Sequence, residues 1–310
     1  MRLFIAPYVY KVPRIWKLNI HFLAFLCIFQ VLNFFLLSSE ALGESRRLGL
    51  RVIQSGHSLT DPIIYPLHLL VRASGGLGET ITKSTIPGSP MDIRWNEAPG
   101  YGQPDARHAI ADYDILVLTE RVSVHSTIEW HNSLGQALTW FNHAWTEGNA
   151  GKGAETILYA TWVGIDSGPD AANPYNDPQE LIPFRERMDL EMEGWQSILD
   201  HVNANRIAGS PPMRMIPGPL LMAELYDAIE RGEVPGIATI ADVFSDTIHP
   251  NDLGAYYIAL AHYAVIYNRD PRGLPNRLGM ATSPSRELAT WMQETVWRVV
   301  SSYEGSGVGS

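Results

Sequence analysis

Two short stretches hold residues that could act as a nucleophile and its base. Gly56-His57-Ser58-Leu59-Thr60-Asp61 follows the apolar run Leu48–Gln54. A Gly-x-Ser after a strand turns the backbone sharply and presents a hydroxyl where a helix can begin. Taken alone, the same pattern also describes an ordinary turn. A serine hydroxyl is a weak nucleophile and needs an adjacent base. The second stretch, Asp246-Thr-Ile-His249-Pro250, lies late in the chain, just before an apolar helical segment. Three-residue spacing on a turn lets a carboxylate fix the tautomer of the imidazole while its other ring nitrogen faces a hydroxyl. Ser58, His249 and Asp246 together would form a triad for attack on an acyl carbonyl.

The elements that must position these groups alternate between strand and helix. Strands are expected at Arg47–Gln54, Glu79–Ile86, Tyr113–Thr119, Thr156–Trp162 and Met213–Ile216. Helices are expected at Pro62–Ala73, Ile128–Glu147, Arg185–Asn205, Leu220–Gly232, Gly254–Asn268 and Ser285–Ser302. Tyr113–Thr119 is almost continuously apolar, as suits a parallel strand covered on both faces. Strands separated by helices imply a parallel sheet with helices on both sides, and right-handed crossovers make it a doubly wound, three-layer α/β/α architecture. Ligands of such sheets sit beyond the carboxyl ends of the strands. Ser58, Gly88, Glu120 and the long loop 164–183 all fall there. Trp130, Trp140 and Trp145, in one helical segment, read as core.

The two stretches, in this order, resemble blocks of the SGNH, or GDSL, hydrolases. Gly56-His57-Ser58-Leu59 is similar to that family's first block, Gly-Asp-Ser-Leu, and Asp246-x-x-His249-Pro250 closely matches its last. The resemblance implies a flavodoxin-like sheet of five strands. It also implies an oxyanion hole made by the Ser58 amide, the Gly88 amide and an asparagine after the third strand. That asparagine block is missing; Leu118-Thr119-Glu120-Arg121 stands in its place. An ionised Glu120 could not donate to an oxyanion, and one missing donor costs roughly 10²–10³ in rate. Either Asn96, Asn132, Asn142 or Arg121 supplies the donor, or Glu120 pairs with Arg121 or His57 in a structural role. His57 itself stands where the family has Asp. His57, Asn96, Glu120, Arg121 and Trp162 are therefore candidates to line the site. The family's chemistry needs no cofactor and no metal. It leaves three readings open: an exported esterase acting on acyl esters, such as acetyl esters, of a carbohydrate or lipid; an acyltransferase with the same triad; or a binding protein on the same scaffold.

Composition sets the outer bounds. The chain has 310 residues, 45% of them hydrophobic and 18% charged, which is a globular composition. Residues 1–43 have a basic start, an apolar run from Phe22 to Leu37, and small residues at Ala41 and Gly43, the layout of a secretory signal peptide or an uncleaved anchor. Residues 44–304 read as one domain and 305–310 as a disordered tail. Cys27, the only cysteine, lies in the leader, so the rest of the chain has neither a disulfide nor a thiolate ligand. The leader holds four basic residues and one acidic, so the net charge of −10 would become −13 on cleavage. An acidic surface argues against nucleic acid or an anionic membrane as a partner. A periplasmic, envelope or secreted location and a small-molecule or saccharide ester as substrate are expected; nothing in the sequence indicates an oligomeric state.

Overall fold

A computed structural model of the protein describes residues 45–77, 80–174 and 176–309. The leader expected over residues 1–43, with Cys27, lies outside them. Among the described residues no helix is long and apolar enough to cross a membrane.

Five parallel strands form one sheet: β1 (Val52–Gly56), β2 (Ile81–Thr85), β3 (Ile115–Leu118), β4 (Glu155–Ala160) and β5 (Arg214–Pro217), in the order β2-β1-β3-β4-β5. Val52 is opposite Ile81 on one side and Ile115 on the other, so the carboxyl ends of β1, β2 and β3 finish side by side. This is the doubly wound, flavodoxin-like arrangement expected from the sequence.

Side chains alternate across a strand, so successive apolar residues feed opposite cores. Val52, Val117, Ile157, Tyr159 and Ile216 face α1 (Asp61–Ala73), α7 (Gly218–Glu230), α8 (Asp252–Tyr267) and α9 (Arg286–Ser302). Ile53, Leu116, Leu118, Leu158 and Met215 face α2 (Met91–Asn96), α5 (Ser133–Gly151) and α6 (Phe184–Asn205). The short helices α3 (Ala106–Ala109) and α4 (Val124–Trp130) complete the order. Helix α8 is buried at every position from Gly254 to Tyr267. It is apolar on all sides because it packs against both α1 and α9, leaving no face for water.

Three features depart from the sequence reading. The single helix expected over 128–147 is two, separated at Asn132, which takes a left-handed backbone. That break leaves Trp140 in the core but puts Trp130 on the surface, 87% exposed. The polar stretch after β2 contains the short helix α2, whose Met91 and Arg94 are buried. The tail is packed. Ser306 is buried and its hydroxyl donates to the Val300 carbonyl at 2.7 Å, while the Val308 amide donates back to that hydroxyl at 3.1 Å. With its polar groups satisfied locally, the tail can bury Val308, which is 5% exposed. Deleting the residues after Glu304 is therefore expected to cost about 2 kcal/mol, the burial of one such side chain, measurable as a lower denaturation midpoint with unchanged slope.

Candidate active site

Strand β1 ends at Gly56, where any side chain would collide with Thr60. The His57 carbonyl accepts from the Thr60 amide at 2.8 Å, closing the turn before α1. Asp61, in the first turn of α1, accepts the Thr85 hydroxyl at 2.8 Å and ties this turn to the end of β2. Ser58 sits half-buried at its apex.

The facing turn is built within seven residues. Phe244 and Pro250 pair as an antiparallel bridge, and the Ser245 amide donates to the His249 carbonyl at 2.8 Å. Asn251 caps α8 by accepting from the Leu253 and Gly254 amides. Inside this turn one oxygen of Asp246 accepts the amides of Ile248 and His249 at 2.8 and 2.7 Å. Its other oxygen lies 2.7 Å from His249 Nδ1, and His249 Nε2 lies 2.8 Å from Ser58 Oγ. The His249 amide first, then that of Ile248, pulls the Asp246 carboxyl down to about 2. An ionised carboxylate can only accept, so His249 Nδ1 carries the proton and Nε2 offers its lone pair to the Ser58 hydroxyl. Two further bonds hold the turn over the sheet: Trp162 Nε1 donates to the Ile248 carbonyl at 3.0 Å, and the Ile165 amide donates to that of Thr247 at 2.7 Å.

On the other side of Ser58, the Ile86 amide donates to the Gly56 carbonyl at 3.1 Å, which sets the Ile86–Ser89 turn beside His57 and Ser58. Gly88 has φ +66° and open space where a side chain would stand. Among the described residues neither the Ser58 nor the Gly88 amide donates to a protein acceptor. Both are free to receive an oxyanion.

Beneath these turns lies a polar network in which Glu120 meets His57 and the Arg121 amide, as one reading of the sequence allowed, but whose centre, Arg94, the sequence did not signal. Buried Arg94, on α2, bonds the Ser55 hydroxyl at 3.2 Å, the Ser89 carbonyl and hydroxyl, and the Thr119 carbonyl. It thus clasps residues at the ends of β1, β2 and β3 together. Burial pushes its guanidinium down to about 10, against the pull of Glu120 and then Asp92. The Glu120 carboxylate turns inward and accepts the Met91 and Arg121 amides at 3.0 and 2.6 Å. Burial raises its pKa, and the Arg94 charge opposes that rise. The Glu120 carbonyl takes His57 Nε2–H at 2.9 Å, while His57 Nδ1 accepts the Leu59 amide at 3.3 Å. His57 is therefore a neutral imidazole. Burial first, then the Arg94 charge, holds it down at about 3.

The five candidates for site-lining residues separate accordingly. His57, Glu120 and Trp162 are buried and support the turns from below. Asn96 does not face the site, because its amide bonds the Asp92 carbonyl of its own helix at 2.8 Å. Asn142 receives the Ile207 amide at 3.1 Å, and Asn132 folds over its own helix start at Gly135. Arg121 remains; it lines a groove together with Thr247 and Ile248 of the acid–base turn. Arg94 carried no sequence signal, because one arginine in a polar stretch reads as surface.

No family model and no curated protein matches the sequence. Among solved structures, the chain is similar to a DUF4886 family protein from Bacteroides uniformis ATCC 8492, with TM-score 0.55 and 14% identity over 82% of this chain and 95% of that one. An acetyl xylan esterase has TM-score 0.41 and 14% identity over 69% and 98% of the two chains. A lipase from a goat rumen metagenome has TM-score 0.35 and 13% identity over 70% and 98%. At such identities the first likeness speaks to the fold alone, and the two weaker ones decide nothing.

The Arg94 clasp predicts that Arg94→Met and Arg94→Lys slow phosphonate labelling of Ser58 about 10²-fold, the cost of misplacing reacting groups by about 1 Å. Circular dichroism and the melting curve would show whether each variant is folded; a folded variant labelled at the wild-type rate would show the clasp to be dispensable. His57 predicts a pH effect. It is neutral in the fold, but in the unfolded chain it takes up a proton below about 6.5, so its share of stability is present above that pH and is lost progressively toward 3. The cost of His57→Asn, read from denaturant titrations, should therefore be smaller at pH 5 than at pH 8.

Proposed function

We propose that the protein is an exported serine esterase of the SGNH kind. The observation that carries this reading is the chain of short bonds from Ser58 through His249 to Asp246. Ser58 Oγ attacks the ester carbonyl carbon as its proton passes to His249 Nε2. The negative charge that develops on the carbonyl oxygen is received by the Ser58 and Gly88 amides. The carbon–oxygen bond to the alcohol then breaks, and His249 returns the proton to the leaving alkoxide. Water, deprotonated by the same ring, cleaves the acyl-enzyme and restores Ser58. Asp246 stays ionised throughout and stabilises the imidazolium.

The His249 side chain is 33% exposed and that of Asp246 55% exposed. So open a relay gives water access to His249, as the hydrolytic step requires. The substrate in this reading is an acyl ester, such as an acetyl ester, on a carbohydrate or lipid outside the cytoplasm. Inward-facing Glu120 supports a two-amide oxyanion hole, with the buried Arg94 guanidinium beneath it on Ser55 and Ser89.

A fluorophosphonate probe should label wild type at Ser58 and leave Ser58→Ala and His249→Ala unlabelled. Short-chain aryl esters should be turned over by wild type and lose about 10⁴-fold or more in kcat in the Ser58→Ala variant. Labelling elsewhere in the chain, or no serine-dependent turnover of any acyl ester, would sink the reading and favour a binding protein on this scaffold.

A further inference from the structure

A groove of about 1160 Å³ runs from the acid–base turn at Thr247 and Ile248 to Trp130, between α4 and the 164–183 loop. Its size exceeds the roughly 300–1000 Å³ typical of small-ligand pockets. Its walls are pre-formed. Buried Arg187 on α6 bonds Asp177, the Glu180 carboxylate at 2.7 Å and the Ser167 hydroxyl at 3.1 Å, which fixes the loop to the helix. Asp177 in turn accepts the Ser123 hydroxyl at 2.9 Å, and Glu191 accepts the Val124 amide at 2.8 Å, which fixes the opposite wall. An occupant would not have to order these segments on binding.

The lining has two kinds of contact. Trp130 is 87% exposed, far more than an indole is usually left to water. It is placed by the His131–Asp92 bond of 3.0 Å and the left-handed turn at Asn132 that follows. The remaining lining is dense in hydrogen-bonding groups with capacity to spare. The carboxylates of Glu129, Asp166 and Glu193, the His125 ring and the side-chain carboxamide of Asn176 have no protein partner among the described residues. Five carboxylates and two guanidiniums line the groove, so it repels anions. Acceptor-rich walls also suit hydroxyl donors better than an acyl chain, which would strand the carboxylates without water.

We infer that this groove binds a neutral oligosaccharide, with Trp130 stacked against one sugar ring and the free carboxylates and amide taking sugar hydroxyls. Resting on the esterase reading, this makes the alcohol side of the substrate a neutral glycan that enters beside His249. A chain lying in the groove would extend several sugar units beyond the scissile ester.

The test uses the full chain and unesterified sugars, so that binding is read apart from catalysis. Xylohexaose, cellohexaose and chitohexaose are titrated calorimetrically, with hexagalacturonate as the anionic counterpart. At least one neutral hexamer should bind, hexagalacturonate should bind more weakly, and Trp130→Ala should weaken the neutral hexamer about tenfold. Tyr65→Ala, on the exposed face of α1 away from the groove, should leave affinity unchanged. No binding of any neutral hexamer, equal binding of hexagalacturonate, or wild-type affinity in Trp130→Ala would each overturn the proposal. Fluorophosphonate labelling separates the two readings. Sugar binding with an unreactive Ser58 sinks the esterase and keeps the groove, whereas a reactive Ser58 without sugar binding does the reverse.

Discussion

A single buried guanidinium sets the geometry on which the site depends. Parallel strands that finish side by side leave their last carbonyls pointing into one space, and each carbonyl must find a donor. Arg94 supplies donors to the Ser89 and Thr119 carbonyls and to the Ser55 hydroxyl at once. A planar group with five fixed N–H donors suits this task, and a lysine would not. The buried positive charge then needs a negative one, and inward-facing Glu120 provides it. Those two charges account for the rest of the neighbourhood. Glu120 holds the start of α2 and the Arg121 amide, and its carbonyl fixes the proton of His57. The carboxylate that looked like an intruder among oxyanion donors belongs to the floor beneath them.

Much of the fold was legible in the residues. Five apolar runs separated by amphipathic stretches admit few arrangements, and each of the five strands overlaps its expected run, β1 starting five residues later, at Val52. Ser58 and the Asp246–His249 pair could be found because each is short, local and chemically specific. Glu120 stands out only as a departure from a resemblance; whether its carboxylate turns inward depends on the charge of Arg94, 26 positions away and beyond both a polar stretch and the apolar strand β3. Trp162 sits at the end of a strand, where either a pocket wall or a buried prop is compatible with the pattern. Its single indole N–H, spent on the Ile248 carbonyl, makes it the prop. Trp130 departs from its expected core position for a related reason. Helical periodicity assigns it to the core only if the helix runs on, and the left-handed residue at Asn132 starts a new one.

The two halves of the relay differ in how they are held. The acid–base turn is almost self-contained, since Asp246 is fixed by amides two and three residues away. The serine turn depends on the sheet, on β2 through Asp61 and Thr85, and on the buried charge pair below. The first can form wherever seven residues close on themselves; the second exists only when three strands are in register.

Ser58 and His249 are 191 positions apart along the chain, and the 2.8 Å bond between them is the only direct link from nucleophile to base. Contacts so remote in sequence form late, because closure of the intervening loop must be compensated by everything already packed within it. A partly made or partly folded chain therefore carries only an ordinary alcohol at Ser58, with no neighbour to take its proton. The proposed activation of Ser58 requires that long-range closure. In the proposed relay, the Ser58 hydroxyl therefore stays unactivated until α8 has packed against the helix that follows its serine.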